Sequence, residues 1–351
     1  MVTTIERGER CCSRQKADVG VVTIRLTSTD LNTMIAIVSK TKLPMLPGVN
    51  LGDFGVDASL RQRGFVIAAR GDYAQTIAPA GMQPGQILSS GACMPDWDND
   101  FYRRMSKISQ RKMLRFMLAH PEGVSEVDLS NELQQERTTV HKRVLHLEKA
   151  GVIRECYENR WCLSQAIDNF GPTYERYVKS IFEREFSWSA EWGIELEDFA
   201  YGDFDVLATT ASTLCYVECK TSRPQDVRDE QLRFFLQRSQ DLAPEIAVLL
   251  LDTEDSLDKP LEQLENILTG IRRKEMAKPS QKPEKPFFIE PARFAGVHFG
   301  CRRIFVTNAK PSVVHNLRLC LKFYWTWLKF QSFLSGPQYN YVTEEVFPFP
   351  L

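Results

Sequence analysis

Two short apolar runs within residues 202–222, GDFDVLATTASTLCYVECKTS, constrain the fold of this chain more than any other segment. FDVLAT and TLCYVECK each have the length and the β-branched and aromatic content of a buried strand, and few residues separate them, so they predict a β-hairpin. Side-chain alternation places Asp203 and Asp205 on one face of the first strand. Phe204 and Val206 then face the other side.

Burial of unpaired charge is costly, so charged side chains at core-like positions of this hairpin are expected only where a partner or ligand offsets that cost. In the second strand, Glu218 and Lys220 share a face, and in a hairpin they can lie beside Asp205. Two carboxylates and a backbone carbonyl suit a hard cation such as Mg²⁺. A lysine beside them can stabilise charge on a phosphate or help to orient an attacking water. Either Asp203 or Asp205 can be the ligand on the first strand.

Helical and strand patterns surround the hairpin in a defined order. An amphipathic helix and a strand precede it, and a second helix and a buried strand follow it, which gives the order αβββαβ. Beyond this core we predict a helix, a Lys/Pro-rich loop, a strand and a long apolar helix. The ranges in chain order are 171–186, 193–199, 226–241, 245–253, 259–272, 272–286, 301–308 and 311–334.

The spacing Asp205-x12-Glu218-x-Lys220 in this order resembles the catalytic core of the PD-(D/E)xK, or restriction-endonuclease-like, superfamily. The resemblance covers about residues 171–253. Phe204 stands where many members have proline before the first aspartate. The family context implies a Mg²⁺-dependent or Mn²⁺-dependent nuclease. The implied metal ligands are Asp205, Glu218, the carbonyl of Cys219 and, as an additional acidic ligand, Glu175; Lys220 would act beside the attacking water, and Gln231 would orient a phosphate or that water.

Residues 108–164 show a different pattern, of short helices followed by two β-like runs. A helix at 109–120, a short helix with a polar turn, and a longer helix from about 136 to the stop signal Gly151 precede VIREC and RWCLS. This order resembles a winged helix-turn-helix, most specifically in LEKAGVI at the end of the longer helix. The resemblance implies binding of duplex DNA.

The charge of this region agrees with DNA contact. Residues 101–160 contain twelve Lys or Arg against eight Asp or Glu, a surplus of four positive charges, whereas the whole chain carries −1. The first half of the longer helix is the part that enters a major groove in helix-turn-helix docking, and wing cations can reach phosphates. The DNA-binding candidates are Arg137, Thr138, Thr139, His141, Lys142 and Arg143 on the helix, and Arg160 in the wing, where Arg154 is an alternative. A protein-interaction module with a solvated basic surface is the competing interpretation.

The remaining features complete the expected organisation. We expect a multidomain α/β protein with an α+β N-terminal region of unknown role (1–104), a winged helix-turn-helix (105–165) and a nuclease domain (166–351). Strands at 19–26 and 64–70 and a helix at 30–40 are predicted in the first region. The aromatic helix residues Phe323, Tyr324, Trp325, Trp327 and Phe330 indicate a helix that covers the sheet or forms a dimer interface, with stacking on single-stranded nucleic acid as the alternative.

The environment of the protein can also be predicted. The nine cysteines form no CxxC pair, and the first twenty residues contain no apolar signal core, which favours a cytoplasmic protein with reduced thiols and no membrane span. The sequence thus predicts a Mg²⁺-dependent DNA endonuclease, expected from the family resemblance to be a homodimer. The alternatives are a DNA-binding regulator whose nuclease-like domain is inactive, and an effector nuclease activated by a ligand at residues 1–100.

Overall fold

The computed structural model describes residues 55–79, 95–197, 199, 202–210, 213–276, 293–294, 297–299 and 303–334. All of them belong to one compact unit, Leu51–Leu351. The elements predicted at 19–26 and 30–40 lie outside the described residues. Within them, no helix combines the length and the apolar character that a membrane span requires.

The described helices and strands follow the predicted pattern closely from residue 108 onwards. The helices are α1 Val56–Gln62, α2 Pro95–Met105, α3 Ile108–Ala119, α4 Glu126–Leu133, α5 Arg137–Lys149, α6 Gly171–Glu185, α7 Asp229–Leu242, α8 Asp258–Met276 and α9 Val313–Leu334. The strands are β1 Ile67–Ala69, β2 Val124–Ser125, β3 Ile153–Tyr157, β4 Arg160–Leu163, β5 Ser189–Leu196, β6 Phe204–Thr210, β7 Thr213–Lys220, β8 Ile246–Leu251, β9 Arg293–Phe294, β10 Val297–Phe299 and β11 Ile304–Thr307.

An eight-stranded mixed sheet forms the centre of the protein, which makes the fold α/β. Its strand order is β1-β5-β6-β7-β8-β11-β10-β9. Strands β5, β6 and β7 form an antiparallel meander, whereas β8 pairs in parallel with both β7 and β11. The predicted hairpin is therefore present as β6 and β7, and the chain order α6-β5-β6-β7-α7-β8 is the predicted order αβββαβ.

Helices cover both faces of this sheet, and its central strands are consequently buried. One hydrophobic cluster joins α6 and α9 to side chains such as Val206 and Val217. The second joins α1, α7 and α8 to the opposite face, where Leu207 and Tyr216 lie. Parallel strands buried on both faces need this arrangement. One face of α9 covers the sheet as predicted, since Tyr324 is buried in the first cluster and Phe323 packs against it, whereas Trp325 is 40% exposed.

Residues 108–163, from α3 to β4, form a helical module with its own three-stranded sheet in the order β2-β4-β3. A capping box starts α4, in which Ser125 and Asp128 satisfy each other's backbone N–H groups. Gln134 then takes a left-handed conformation, φ 50°, in the turn before α5. The core of the module is continuous with the α6 side of the large sheet. The helices and hairpin predicted for this region are thus present.

Strict alternation fails at the start of β6, so the prediction that Phe204 and Val206 share a face is wrong. Phe204 packs on Tyr216 in the second cluster (ring centroids 5.2 Å apart), whereas Val206 lies in the first. The cause lies in the neighbouring strand, where Gly193 has φ +57°, a left-handed conformation that glycine tolerates. Trp192 and Ile194, on either side of Gly193, likewise lie in the first and the second cluster, and they pair with Val206 and Phe204.

Residues 64–70, predicted as a strand, contribute the short β1 at the edge of the large sheet. Ile67 and Ala69 pair with β5, and Gly71 donates its N–H to Trp192 O at 2.9 Å. The chains approach closely there, because a Cβ on Gly71 would lie 2.3 Å from the Trp192 ring. Residues 55–79 therefore pack on the same sheet as the 166–351 region; the boundaries at 104/105 and 165/166 stay a prediction.

Candidate active site

The candidate site lies where the ladder between β6 and β7 ends. Their backbone pairing runs from Thr210↔Thr213 to Val206↔Val217. One residue further along, the Asp205 side chain takes the place of the ladder, and its Oδ2 accepts the Cys219 N–H at 2.6 Å. Asp205 is consequently fixed against the backbone between the two charged residues of the E-x-K triplet.

Glu218 is buried and is held by three donors. Its Oε1 accepts from Lys220 Nζ at 2.5 Å, and its Oε2 accepts from Arg238 Nη1 at 3.1 Å and from the Tyr216 hydroxyl. Burial alone would raise the pKa of the Glu218 carboxyl, but Lys220 and Arg238 outweigh burial and hold it below its ordinary value. Glu218 is therefore an ionised, neutralised carboxylate.

Glu175 on α6 and Asp205 on β6 have raised pKa values, in contrast to Glu218. Burial, followed by the neighbouring carboxylates Asp205 and Asp203, raises the pKa of Glu175 to about 9. Burial, followed by Glu218, raises the pKa of Asp205 to about 8, although Lys220 and the Cys219 N–H act against this. The two carboxyls thus lack sufficient positive charge around them.

Lys220 is charged and points at the acidic group. Burial lowers the pKa of the ammonium, but Asp205 and Glu218 raise it above its ordinary value. Its side chain is 18% exposed, so it is largely but not completely shielded from bulk solvent. Strongly shifted carboxyls beside a partly buried lysine are typical of catalytic sites.

The donor chemistry of this group fits a hard divalent cation only in part. Glu175 and Asp205 are buried oxygen donors with unbalanced negative charge, which is the environment that such a cation relieves. Glu218 would have to exchange one of its three present donors to become a ligand. Among the described residues, no group of three or more His, Cys, Asp or Glu side chains is arranged to hold a metal ion.

Two further residues predicted for the site are Asp203 and Gln231. Asp203 is exposed and acts on Glu175 through its charge, whereas Asp205 is buried. Gln231 lies in the first turn of α7, where its Oε1 accepts the Arg228 N–H at 3.0 Å and completes the helix cap.

Two residues of the group were missed by sequence reasoning. Arg238 lies two turns beyond Gln231 on α7, so the i, i+7 spacing on one helical face could have identified it. Tyr216 lies two positions before Glu218 and therefore on the same strand face. Neither is among the site residues predicted from the sequence, although each contacts Glu218.

Some of the DNA-binding candidates on α5 are exposed, and others form contacts within the module. Thr138, Thr139 and Lys142 are exposed. Arg137 and His141 share the carboxylate of Glu126, at 3.3 Å (Nε–Oε2) and 2.5 Å (Nδ1–Oε1) respectively. Glu126 thus partly neutralises the charge of Arg137 and occupies Nδ1 of His141 within the module.

The other two candidates are constrained by the module itself. Arg143 is half-buried, and its Nη1 has no hydrogen-bond partner among the described residues. Arg160 donates from Nε and Nη2 to Gly123 O at 3.1 and 2.9 Å, which ties the hairpin of β3 and β4 to the start of β2. Arg160 therefore has a structural role in addition to any contact with phosphate.

Comparison with known proteins gives little further information. No protein-family model matches the chain, and no curated protein matches it. Among solved structures, the crystal structure of protein VC1899 from Vibrio cholerae is similar to 46% of this chain and 50% of that chain, at 15% identity and a TM-score of 0.29. The match thus spans about half of that protein's length, and at this TM-score it carries no argument about fold or activity.

Proposed function

We propose that this protein is a metal-dependent DNA endonuclease that hydrolyses phosphodiester bonds. The observation that carries the proposal is the group of three buried carboxyls, Glu175, Asp205 and Glu218, with the partly buried Lys220 at the end of the β6–β7 ladder. The order of elements around it, αβββαβ, agrees with the restriction-endonuclease-like resemblance. A solvated sheet face would not need two buried carboxyls with raised pKa values.

In this mechanism the residues have separate roles. Glu175 and Asp205 would hold Mg²⁺ or Mn²⁺, which supplies Lewis-acid polarisation of the phosphate and lowers the pKa of a bound water. The Lys220 ammonium lies beside Asp205 and stabilises the negative charge that develops on the phosphate oxygens. Glu218, which is held by Arg238 and Tyr216, orients Lys220 through their ion pair.

The helical module would deliver the DNA as a winged helix. Its order of elements, α3-β2-α4-α5-β3-β4, and the exposed Thr138, Thr139 and Lys142 on α5 support this role. Contacts from this helix would enter the major groove, and phosphate contacts would make binding fall as salt concentration rises. Duplex DNA as substrate and a homodimeric assembly stay predictions of the same proposal.

Metal-dependent cleavage by matched variants tests the proposal. Wild type, Lys220→Ala and Lys259→Gln are incubated with duplex, single-stranded and branched DNA in Mg²⁺, Mn²⁺ or EDTA. Lys259 lies on α8 and donates to Gln225 O, so it controls for loss of a lysine outside the group. We expect cleavage by wild type and Lys259→Gln in metal only, and loss of cleavage with retained DNA binding in Lys220→Ala. Cleavage by Lys220→Ala at the wild-type rate, or cleavage in EDTA, would contradict the assignment.

A second candidate is a DNA-binding regulator with an inactive nuclease-like domain. The observation that favours it is the saturation of Glu218 by Lys220, Arg238 and Tyr216, which leaves two rather than three acidic side chains for a cation. The same assay separates the candidates. DNA binding without nicking in any metal, by wild type and Lys220→Ala alike, would support the regulator.

A further inference from the structure

We infer that Arg115, on α3 of the helical module, is a positioning residue for Lys220. The inference rests on the proposed nuclease function, because Lys220 is the catalytic lysine of that proposal. Arg115 lies outside the segment 171–253 that the family resemblance covers. Its side chain nevertheless reaches the residue that follows Lys220.

The contacts of Arg115 converge on the ends of two parallel strands. Its Nη1 donates to Thr221 O at 2.8 Å and to Asp252 O at 3.3 Å, and it lies 3.6 Å from Asp252 Oδ2. The guanidinium also lies 5.9 Å from the centre of the Phe170 ring, just before α6. One side chain thus connects α3 with the residues immediately after β7 and β8.

Asp252 transmits this contact to Lys220 through the backbone. The Asp252 N–H donates to Lys220 O at 2.8 Å, which continues the parallel ladder by one residue beyond Lys220↔Leu251. Its side chain is fully buried, and its Oδ1 accepts from Arg111 Nε at 2.8 Å and lies 2.7 Å from Arg111 Nη2. Lys220 O and Thr221 O are therefore both fixed, directly or through Asp252, by arginines of α3.

Arg111 makes the α3 end of this connection rigid. Its side chain is 1% exposed, its Nη1 donates to Met105 O, and its guanidinium lies 5.6 and 5.4 Å from the ring centres of Tyr174 and Tyr177 on α6. Tyr174 is the neighbour of Glu175 in the chain. The same helix thus contacts the elements that carry Glu175 and Lys220.

The backbone at Lys220–Thr221 needs an external support, because it lies at the end of β7. The ladder with β6 has already ended at Val217, and the parallel partner β8 ends at Leu251. Rotation of this terminal peptide would turn the Lys220 side chain away from Glu218 and Asp205. Small misplacements of a catalytic group can lower rates by about tenfold to a hundredfold, so loss of the Arg115 contact should act on the rate.

The neighbouring pair Lys112–Glu254 offers a matched control. Lys112 lies on the same helix, and its Nζ is 3.0 Å from Glu254 Oε2, two residues beyond Asp252. This pair is 40% and 44% exposed and contacts neither Thr221 nor Lys220 in any described hydrogen bond. Lys112→Gln therefore removes a cation and a module-to-sheet contact but leaves the strand ends supported.

The test compares Arg115→Gln, Arg115→Lys and Lys112→Gln with wild type in three measurements. These are kcat and KM for metal-dependent DNA cleavage, thermal unfolding, and hydrogen exchange of a peptide that covers residues 213–222. For Arg115→Gln we expect kcat to fall about tenfold at unchanged KM, with faster exchange at the end of β7. Arg115→Lys should recover part of kcat because its ammonium is still a cationic donor. Lys112→Gln should match wild type.

Two results would overturn the inference. The first is a kcat for Arg115→Gln equal to that of Lys112→Gln, or lowered only in proportion to the folded fraction. The second is unchanged exchange at 213–222 in Arg115→Gln. If wild type cleaves no DNA, the proposed nuclease function fails, whereas the exchange measurement still decides whether Arg115 holds the end of β7.

Discussion

Two buried charge clusters lie side by side at the ends of β7 and β8, and they differ in charge balance. At the end of β8, Asp252 is matched by Arg111, with Arg115 nearby. Burial lowers the pKa of the Arg111 guanidinium, but Asp252 more than offsets burial and holds this pKa above its ordinary value. At the end of β7, Glu175 and Asp205 have carboxylates as neighbours and raised pKa values.

The difference separates a structural cluster from a functional one. A matched buried pair satisfies itself and contributes to the folded state chiefly by fixing geometry. An unmatched carboxyl pair lowers the stability of the folded state, and a protein keeps it where a cation or substrate supplies the missing charge. Substitution of a charge-balanced residue should consequently lower stability, whereas substitution of an unmatched carboxyl should raise it.

The largest effect is expected from breaking the matched pair. Arg111→Met should lower the free energy of unfolding by about 3–5 kcal/mol, because it leaves the Asp252 carboxylate buried without its partner. Urea unfolding at pH 7 measures the loss. The double variant Arg111→Met/Asp252→Leu should recover most of it, and a single variant as stable as wild type would contradict the role of the pair.

A smaller loss is expected at the balanced member of the other cluster. Glu218→Gln should lower the free energy of unfolding by about 1–3 kcal/mol at pH 7, since Lys220 and Arg238 would lose the carboxylate between them. The pKa of Glu218 is lowered on folding, so its contribution is present above the ordinary carboxyl range and is lost as pH falls below it. Unfolding at pH 7 and pH 3 measures this; equal losses at both would contradict it.

The smallest effect should have the opposite sign. Asp205→Asn should raise the free energy of unfolding by about 1 kcal/mol at pH 8 without metal, because it removes an unmatched charge. An asparagine oxygen can still accept the Cys219 N–H. Cleavage should be lost at the same time. A lower free energy of unfolding for Asp205→Asn than for wild type would contradict this, because it would show that neighbouring positive charge balances the Asp205 carboxylate.

The pH dependence of the free energy of unfolding of the wild-type protein tests the same unmatched carboxyls. The pKa of Asp205 is about 8 and that of Glu175 about 9 in the folded protein, against 3.8 and 4.5 ordinarily. Between these limits the folded state binds more protons than the unfolded state, so these groups make stability fall as pH rises. The fall should be shallower in Asp205→Asn, and in wild type with Mg²⁺ if the carboxyls hold it. An identical slope in both proteins would contradict the assignment.

Local pattern was sufficient to predict the hairpin and its charged residues. FDVLAT and TLCYVECK are adjacent in the chain, so alternation alone brought Asp205 near Glu218 and Lys220, and the structure has this hairpin. The failure at Phe204 came from Gly193, a residue on another strand whose positive φ no pattern in β6 reveals. Register depends on such long-range partners.

Side-chain partners from distant segments could not be predicted. Arg115 contacts Thr221, 106 residues further along the chain. Nothing in SQRKMLRFMLAH indicates that Arg111 and Arg115 reach the sheet whereas Lys112 lies at the surface. Arg238 is an exception, because its i, i+7 spacing from Gln231 places the two residues on one helical face. Geometry, rather than residue type, decides which of two polar side chains on a helix reaches a site.

The edge of the large sheet has a consequence for the chain in solution. Strand β5 has eight residues, and its outer edge would offer unpaired N–H and C=O groups to a second molecule. The short β1 covers part of it, and Arg70 follows with an ion pair to Glu191 at 3.0 Å. Both features discourage further strand addition. Disruption of β1 should therefore promote aggregation by edge-to-edge pairing through β5.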